Sequence, residues 1–152
     1  MGVVIPWPLT FPARREPAVS DRPAFLVAEA DLRSLATLRS FLRGVGLKAR
    51  CLADGAAVIE ALSRVYDGPT RDESSIDVVV IDVNMRGRSG IDVLALARER
   101  QWPIHVVPTS DSVSRLLRLQ LLRMGATTVL TKPFTRAALK RMLKAVTSEP
   151  GE

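Results

Sequence analysis

From Ala24 onwards the apolar residues follow two alternating rhythms. Short apolar runs predict buried strands at 24–28, 47–52, 76–81, 104–107 and 127–130. Stretches with apolar residues three or four apart predict helices at 31–45, 54–66, 89–100, 111–124 and 135–146. In the first of these, Leu32, Leu35, Leu38, Phe41, Leu42 and Val45 repeat at helical spacing, Asp31 can cap the start, and Gly44 and Gly46 can end it. The run from Ile76 to Ile81 is nearly all β-branched, which suits a central strand buried on both faces. Before Ala24 the pattern fails. Pro6, Pro8, Pro12 and Pro17 remove backbone donors and hold the chain extended. Residues 1–22 are therefore expected to be a mobile arm, with Trp7 and Phe11 as its apolar anchors, 23–147 the folded domain, and 148–152 a tail.

Strands that alternate with amphipathic helices predict an α/β protein. Right-handed crossovers make it a doubly wound, five-stranded parallel sheet with five helices. Such sheets gather their chemistry at the carboxyl ends of the strands. No glycine-rich loop follows the first strand, which argues against a dinucleotide or P-loop site.

Composition narrows the classes further. No apolar run approaches the roughly 18 residues of a membrane helix. A lone cysteine, Cys51, and a lone histidine, His105, leave no cluster for zinc and no internal disulfide. Both sit on predicted strands and read as core residues. The N-terminus lacks a basic region and a cleavage site, so the expected location is the cytoplasm. Aromatics make up 5%, too few for a stacking surface on single-stranded nucleic acid. The net charge of +6 is uneven: residues 112–148 hold eight basic side chains and no acidic one. That field suits an acidic partner or phosphates, or is simply a solvated face.

Three strand ends carry polar residues. Glu29 closes the first strand, Asp82 the third, and Lys132-Pro133-Phe134 follows the fifth. Carboxylates beside a lysine suit Mg²⁺ and phosphate oxygens. An aspartate placed there can accept a phosphoryl group. Together with Asn84-Met85, Ser89-Gly90 and a Gly125-Ala126 pair ahead of the lysine, these residues resemble the receiver domain of two-component response regulators over 24–146. The resemblance implies a flavodoxin-like sheet of order 2-1-3-4-5, Asp82 as phosphoacceptor and Lys132 as its catalytic partner. It also implies Mg²⁺ held by Glu29, Asp82 and the backbone carbonyl of Asn84, and a cis Lys132–Pro133 peptide.

The chain departs from that family in four places. Ala30 stands where the second acidic residue normally binds Mg²⁺, so the metal site is expected to be weakened. The switch hydroxyl is ambiguous, because counting from Pro103 reaches Pro108 and counting back from Gly125 reaches Ser110. Thr109, which lies between them, and Ser110 are the candidates. Val129 replaces the switch aromatic, and Arg86 the usual proline.

The fourth helix carries more leucines than one buried stripe needs. Leu116, Leu117, Gln120 and Met124 share a face, with Leu119 and Leu122 beside it. The surplus marks a contact surface or a thicker core. With Arg115, Arg118, Leu119, Arg136, Lys140 and Arg141, the fourth and fifth helices are expected to form a basic docking face. Its partner is a histidine kinase or other signalling protein, or a second copy of the chain. Six residues follow Val146: output is expected by binding if the chain is whole, while a piece of a longer protein leaves room for an effector domain beyond Glu152. No base–nucleophile pair is visible beyond Asp82 and Lys132, so no enzymatic function is expected. The functional reading is an atypical signalling receiver with Mg²⁺-dependent phosphorylation at Asp82. The alternatives are a phosphorylation-independent interaction module and, less favoured, a nucleic-acid-binding regulator, which lacks a recognition-helix motif.

Overall fold

Apolar side chains on both faces of a strand can be covered only if helices pack on both sides of the sheet. The computed structural model describes residues 17, 22–68, 75–85 and 87–148 and has that arrangement. The elements run β1 (Phe25–Ala28), α1 (Leu32–Gly44), β2 (Ala49–Cys51), α2 (Gly55–Tyr66), β3 (Val78–Asp82), α3 (Gly90–Glu99), β4 (His105–Ser110), α4 (Arg115–Arg123), β5 (Leu130–Thr131) and α5 (Arg136–Thr147). All strand pairs are parallel, in the order β2-β1-β3-β4-β5. The expected sheet order is the observed one. Most of the expected arm, and residues 149–152 of the tail, lie outside the described residues.

β3 shows how the core divides. Val79 and Ile81 face one side and pack with Val58 and Leu62 of α2, Val93 and Leu94 of α3, and Leu121 of α4. Val78 and Val80 face the other and meet Leu38 and Leu42 of α1 with Leu139 and Met142 of α5. All five strand residues are buried. Each helix starts on a side-chain cap, from Asp31, Asp54, Ser89, Ser114 and Thr135 in turn. These caps satisfy orphan N–H groups and set the point at which the chain turns into helix.

The three largest boundary differences from the sequence pattern are in β4, β5 and α4, and two of them trace to Pro108. The strand predicted to stop at Val107 continues to Ser110, with Pro108 paired to Ile81 and Thr109 to Asp82. Bonds from Thr127 N to Val106 O and from Lys132 N to Ser110 O show that alternate β4 residues face β5. Pro108 belongs to that set and has no N–H to give. The β4–β5 ladder is therefore regular only beyond it, at Thr109–Leu130 and Ser110–Thr131. This leaves β5 two residues long rather than the predicted 127–130. The third difference is α4, which starts at Arg115 because Ser114 supplies its cap, its hydroxyl accepting from Leu117 N at 3.0 Å.

The start of α2 lies against the backbone that leads out of β3. A Cβ built on Gly55 would sit 1.6 Å from the carbonyl oxygen of Arg88. We expect Gly55→Ala to destabilise the domain by about 1–3 kcal/mol through this overlap, measured as a lower urea midpoint at unchanged slope.

Candidate functional site

The parallel sheet brings the ends of β1, β3, β4 and β5 to one rim. Glu29 directly follows β1, Asp82 is the last residue of β3, Thr109 lies near the end of β4, and Lys132 directly follows β5. All four are buried, Thr109 completely. The Lys132 ammonium donates to Glu29 Oε1 and to Asp82 Oδ2, each at 2.6 Å. Asp111 Oδ1 is 3.9 Å away on an exposed side chain, a contact the sequence pattern did not suggest.

The remaining carboxylate oxygens also have donors. Glu29 Oε1 accepts from Asp31 N at 3.1 Å, and Oε2 from Thr109 Oγ1 at 2.7 Å. Asp82 Oδ1 accepts from Asn84 N at 2.8 Å. Asn84 thus holds Asp82 through its amide. The result is a closed cluster of two acids and one base, tied by hydrogen bonds on every side. Lys132–Pro133 is cis, as the motif led us to expect.

Burial pushes the Glu29 carboxyl above the usual carboxylate range, outweighing the hydrogen bonds from Lys132 and Thr109 that pull it down. Burial alone would lower the Lys132 ammonium, but its bonds to Asp82 and Glu29 outweigh that effect and hold it above the ordinary lysine value. Asp31 does not join the cluster. Its carboxylate caps α1, accepting from Ser34 Oγ at 2.6 Å and from the Arg33 and Ser34 amides. The Ser34 hydroxyl in particular holds Asp31 below the usual range. Ala30 is exposed and carries no donor atom for a metal.

The two switch candidates part company. Thr109 pairs in register with Asp82 and turns its hydroxyl into the acidic cluster. Ser110 points elsewhere, donating to Ser112 O and accepting from Ser112 N. Val129 is a buried core residue. Register decides between the hydroxyls, and it could not be counted from sequence because the two landmarks disagree.

A model of the response regulator receiver domain matches residues 25–144. The chain belongs to this family. The transcriptional regulatory protein PrrA of Mycobacterium tuberculosis is 30% identical over 131 residues, covering 85% of this chain and 52% of PrrA. The receiver thus spans about half the length of that curated relative. The receiver domain of the response regulator NarL from the same organism superposes with a TM-score of 0.69 at 22% identity, covering 86% of this chain and all of that one. The receiver domain of the sensor histidine kinase PA1611 of Pseudomonas aeruginosa, solved with a magnesium ion in its active-site cleft, gives 0.65 at 21% identity and covers 84% of this chain and 99% of that one.

The expected docking residues are distributed less simply. Arg115, Arg118 and Leu119 on α4, and Arg136, Lys140 and Arg141 on α5, are all exposed. Arg136 lines a groove against Phe41 and Val45 at the α1 side of α5. On α4 the core takes Leu121 and Met124, with Leu117 packed against it. Leu116, Leu119 and Leu122 remain outside, at 64%, 44% and 41% exposure. The predicted face of Leu116, Leu117 and Met124 is therefore split, Leu116 joining the outer stripe. Among the described residues no helix is long and apolar enough to cross a membrane.

Removing the ammonium leaves two carboxylates facing each other in a buried place. Lys132→Met is expected to cost about 3–5 kcal/mol near pH 7. The loss should shrink towards about pH 5, since the Glu29 carboxyl, raised by burial, binds its proton more tightly when folded and so regains stability as pH falls. In the unaltered chain the Lys132 contribution is complete below the ordinary lysine value of 10.5 and is lost as pH rises through its higher folded value. Glu29, also raised, makes stability decline as pH climbs above its ordinary 4.5. Urea midpoints of both proteins across pH test these signs.

Proposed function

We propose that this receiver signals by protein contact and that Asp82 does not accept a phosphoryl group in an Mg²⁺-dependent reaction. The observation that carries the reading is the closed Glu29–Lys132–Asp82 cluster beside Ala30. A magnesium ion takes oxygen ligands at octahedral positions, one or two of them carboxylates and the rest waters and phosphate oxygens. Here one carboxylate of the family's pair is an alanine. Asp31 caps a helix instead, and the Lys132 ammonium already bridges the two acids that remain. Among the described residues no three His, Cys, Asp or Glu side chains group to hold a metal. Two carboxylates already tied to one ammonium, with the other acid of the pair replaced by alanine, make a weaker magnesium site than an intact acidic pair. The ion in the cleft of the PA1611 receiver is thus not carried over to this chain.

Output then rests on a surface that does not depend on phosphorylation. The Leu116–Leu119–Leu122 stripe with Arg115, Arg118 and Arg123 beside it is an apolar patch ringed by positive charge. It suits an acidic signalling partner, a histidine kinase among them, or a second copy of the chain. Lys140 and Arg141 extend the basic field on α5. In this reading the protein works in the cytoplasm, has no enzymatic activity of its own, and does not bind nucleic acid.

Intact mass after incubation with Mg²⁺ and acetyl phosphate tests the first half. We expect no hydroxylamine-labile gain of one phosphoryl group. A gain that disappears in Asp82→Ala would overturn the reading and restore a working phosphoacceptor. For the second half, Leu116→Asp with Leu119→Asp should weaken partner capture or self-association at least about tenfold, with folding unchanged, because both side chains are already in water.

A further inference from the structure

The sheet order leaves β2 at the edge opposite β5, far from the acidic cluster and from α4. Phe25 N bonds Lys48 O, and Leu52 N bonds Val27 O, so alternate residues of this strand face β1. Ala49 and Cys51 then direct their N–H and C=O groups to an edge that no further strand covers among the described residues. Beside that edge, between β2 and α2, lies a cavity of about 390 Å³. Leu26, Leu52, Ala61 and Val65 are among the residues that form its apolar wall. Lys48 and Arg50 line it from the strand, on the face that a helix would be expected to cover. Among the described residues neither has an ion-pair partner, whereas the other charged pair on this groove, Arg64 and Glu60, neutralises itself.

An open strand edge, an apolar pocket of ligand size and two unpaired cations are three parts of one recognition mode. A strand added to an edge gains its affinity from main-chain hydrogen bonds and its specificity from pockets for alternate side chains. We infer that the β2–α2 groove docks an extended acidic peptide segment of a partner protein, one apolar side chain filling the cavity and carboxylates two residues to either side of it, on the same face, meeting Lys48 and Arg50. The positive rim repels a basic strand and attracts an acidic one. This site is independent of the α4 surface and of whether Asp82 accepts phosphate.

The test uses the full chain and a fluorescein-labelled hexapeptide Thr-Asp-Thr-Phe-Thr-Asp, which as a strand sets both aspartates on the same face as the phenylalanine. Fluorescence anisotropy should show saturable binding that weakens with salt and falls at least about tenfold in Arg50→Glu with Lys48→Glu. The same peptide N-methylated at alternate amides should lose binding, because its charges remain but its strand hydrogen bonds do not. A lysine-for-aspartate peptide should not bind. Ala49→Pro removes one outward N–H without touching the β1 ladder and should also weaken binding, with thermal unfolding confirming an intact fold. No binding of the acidic peptide up to about 1 mM would overturn the inference. So would equal binding of the N-methylated or the basic peptide, which would reduce Lys48 and Arg50 to charges that blunt an edge strand. Self-association through this edge, abolished by Arg50→Glu in the absence of peptide, would overturn it in favour of a second copy as occupant.

Discussion

A buried ammonium between two buried carboxylates makes strong demands on the chain around it. Lys132, Glu29 and Asp82 arrive from the ends of three different strands, and each loses most of its water. Taking such groups out of water is unfavourable unless partners replace the lost hydration. The partners here are one another, the Thr109 hydroxyl and the amides of Asp31 and Asn84. They meet only when β1, β3, β4 and β5 are in register, so the cluster favours one alignment of the sheet over any slipped one. Two acids and one base also leave an imbalance of charge. Burial holds the Glu29 carboxyl above the usual carboxylate range.

The same strand ends join the cluster to the surface. Lys132 N bonds Ser110 O, and Ser110 in turn holds Ser112 just ahead of the Ser114 cap of α4. The acidic cluster and the exposed leucines of α4 are thus connected by a short run of hydrogen bonds, on a loop whose path Pro108 helps to set. At the far edge β2 is short and its charged face open, so the two ends of one sheet present different chemistry. One offers leucines ringed by arginines, the other free backbone beside an apolar cavity.

Much of the candidate site was legible because strand ends in a parallel sheet are where polar residues converge. Glu29, Asp82 and Lys132 stood out as polar residues ending apolar runs, and the Lys-Pro-Phe motif tied them to a family. The helices were legible for a local reason: Asp31, Asp54, Ser89 and Thr135 cap within one turn, so their effect does not depend on distant residues. What failed was whatever depended on a neighbour across the sheet. The length of β5 follows from a missing donor on β4, and no inspection of 127–130 alone reveals it. The α4 leucines failed similarly, since periodicity shows that a helix has an apolar side but not which surplus residue the sheet covers.

The sequence by itself determined the alternation of strand and helix, the burial of β3 on both faces, the excess of positive charge after residue 112 and the loss of a carboxylate at Ala30. These are properties of residue type and local spacing, which the chain carries wherever it is placed. Only the tertiary structure decided that Thr109 rather than Ser110 faces the acids and that Leu116, Leu119 and Leu122 stay in water. Each of those outcomes turns on register or on which side of an element meets another. Register is a relation between strands far apart in the chain, set by the packing of the whole sheet.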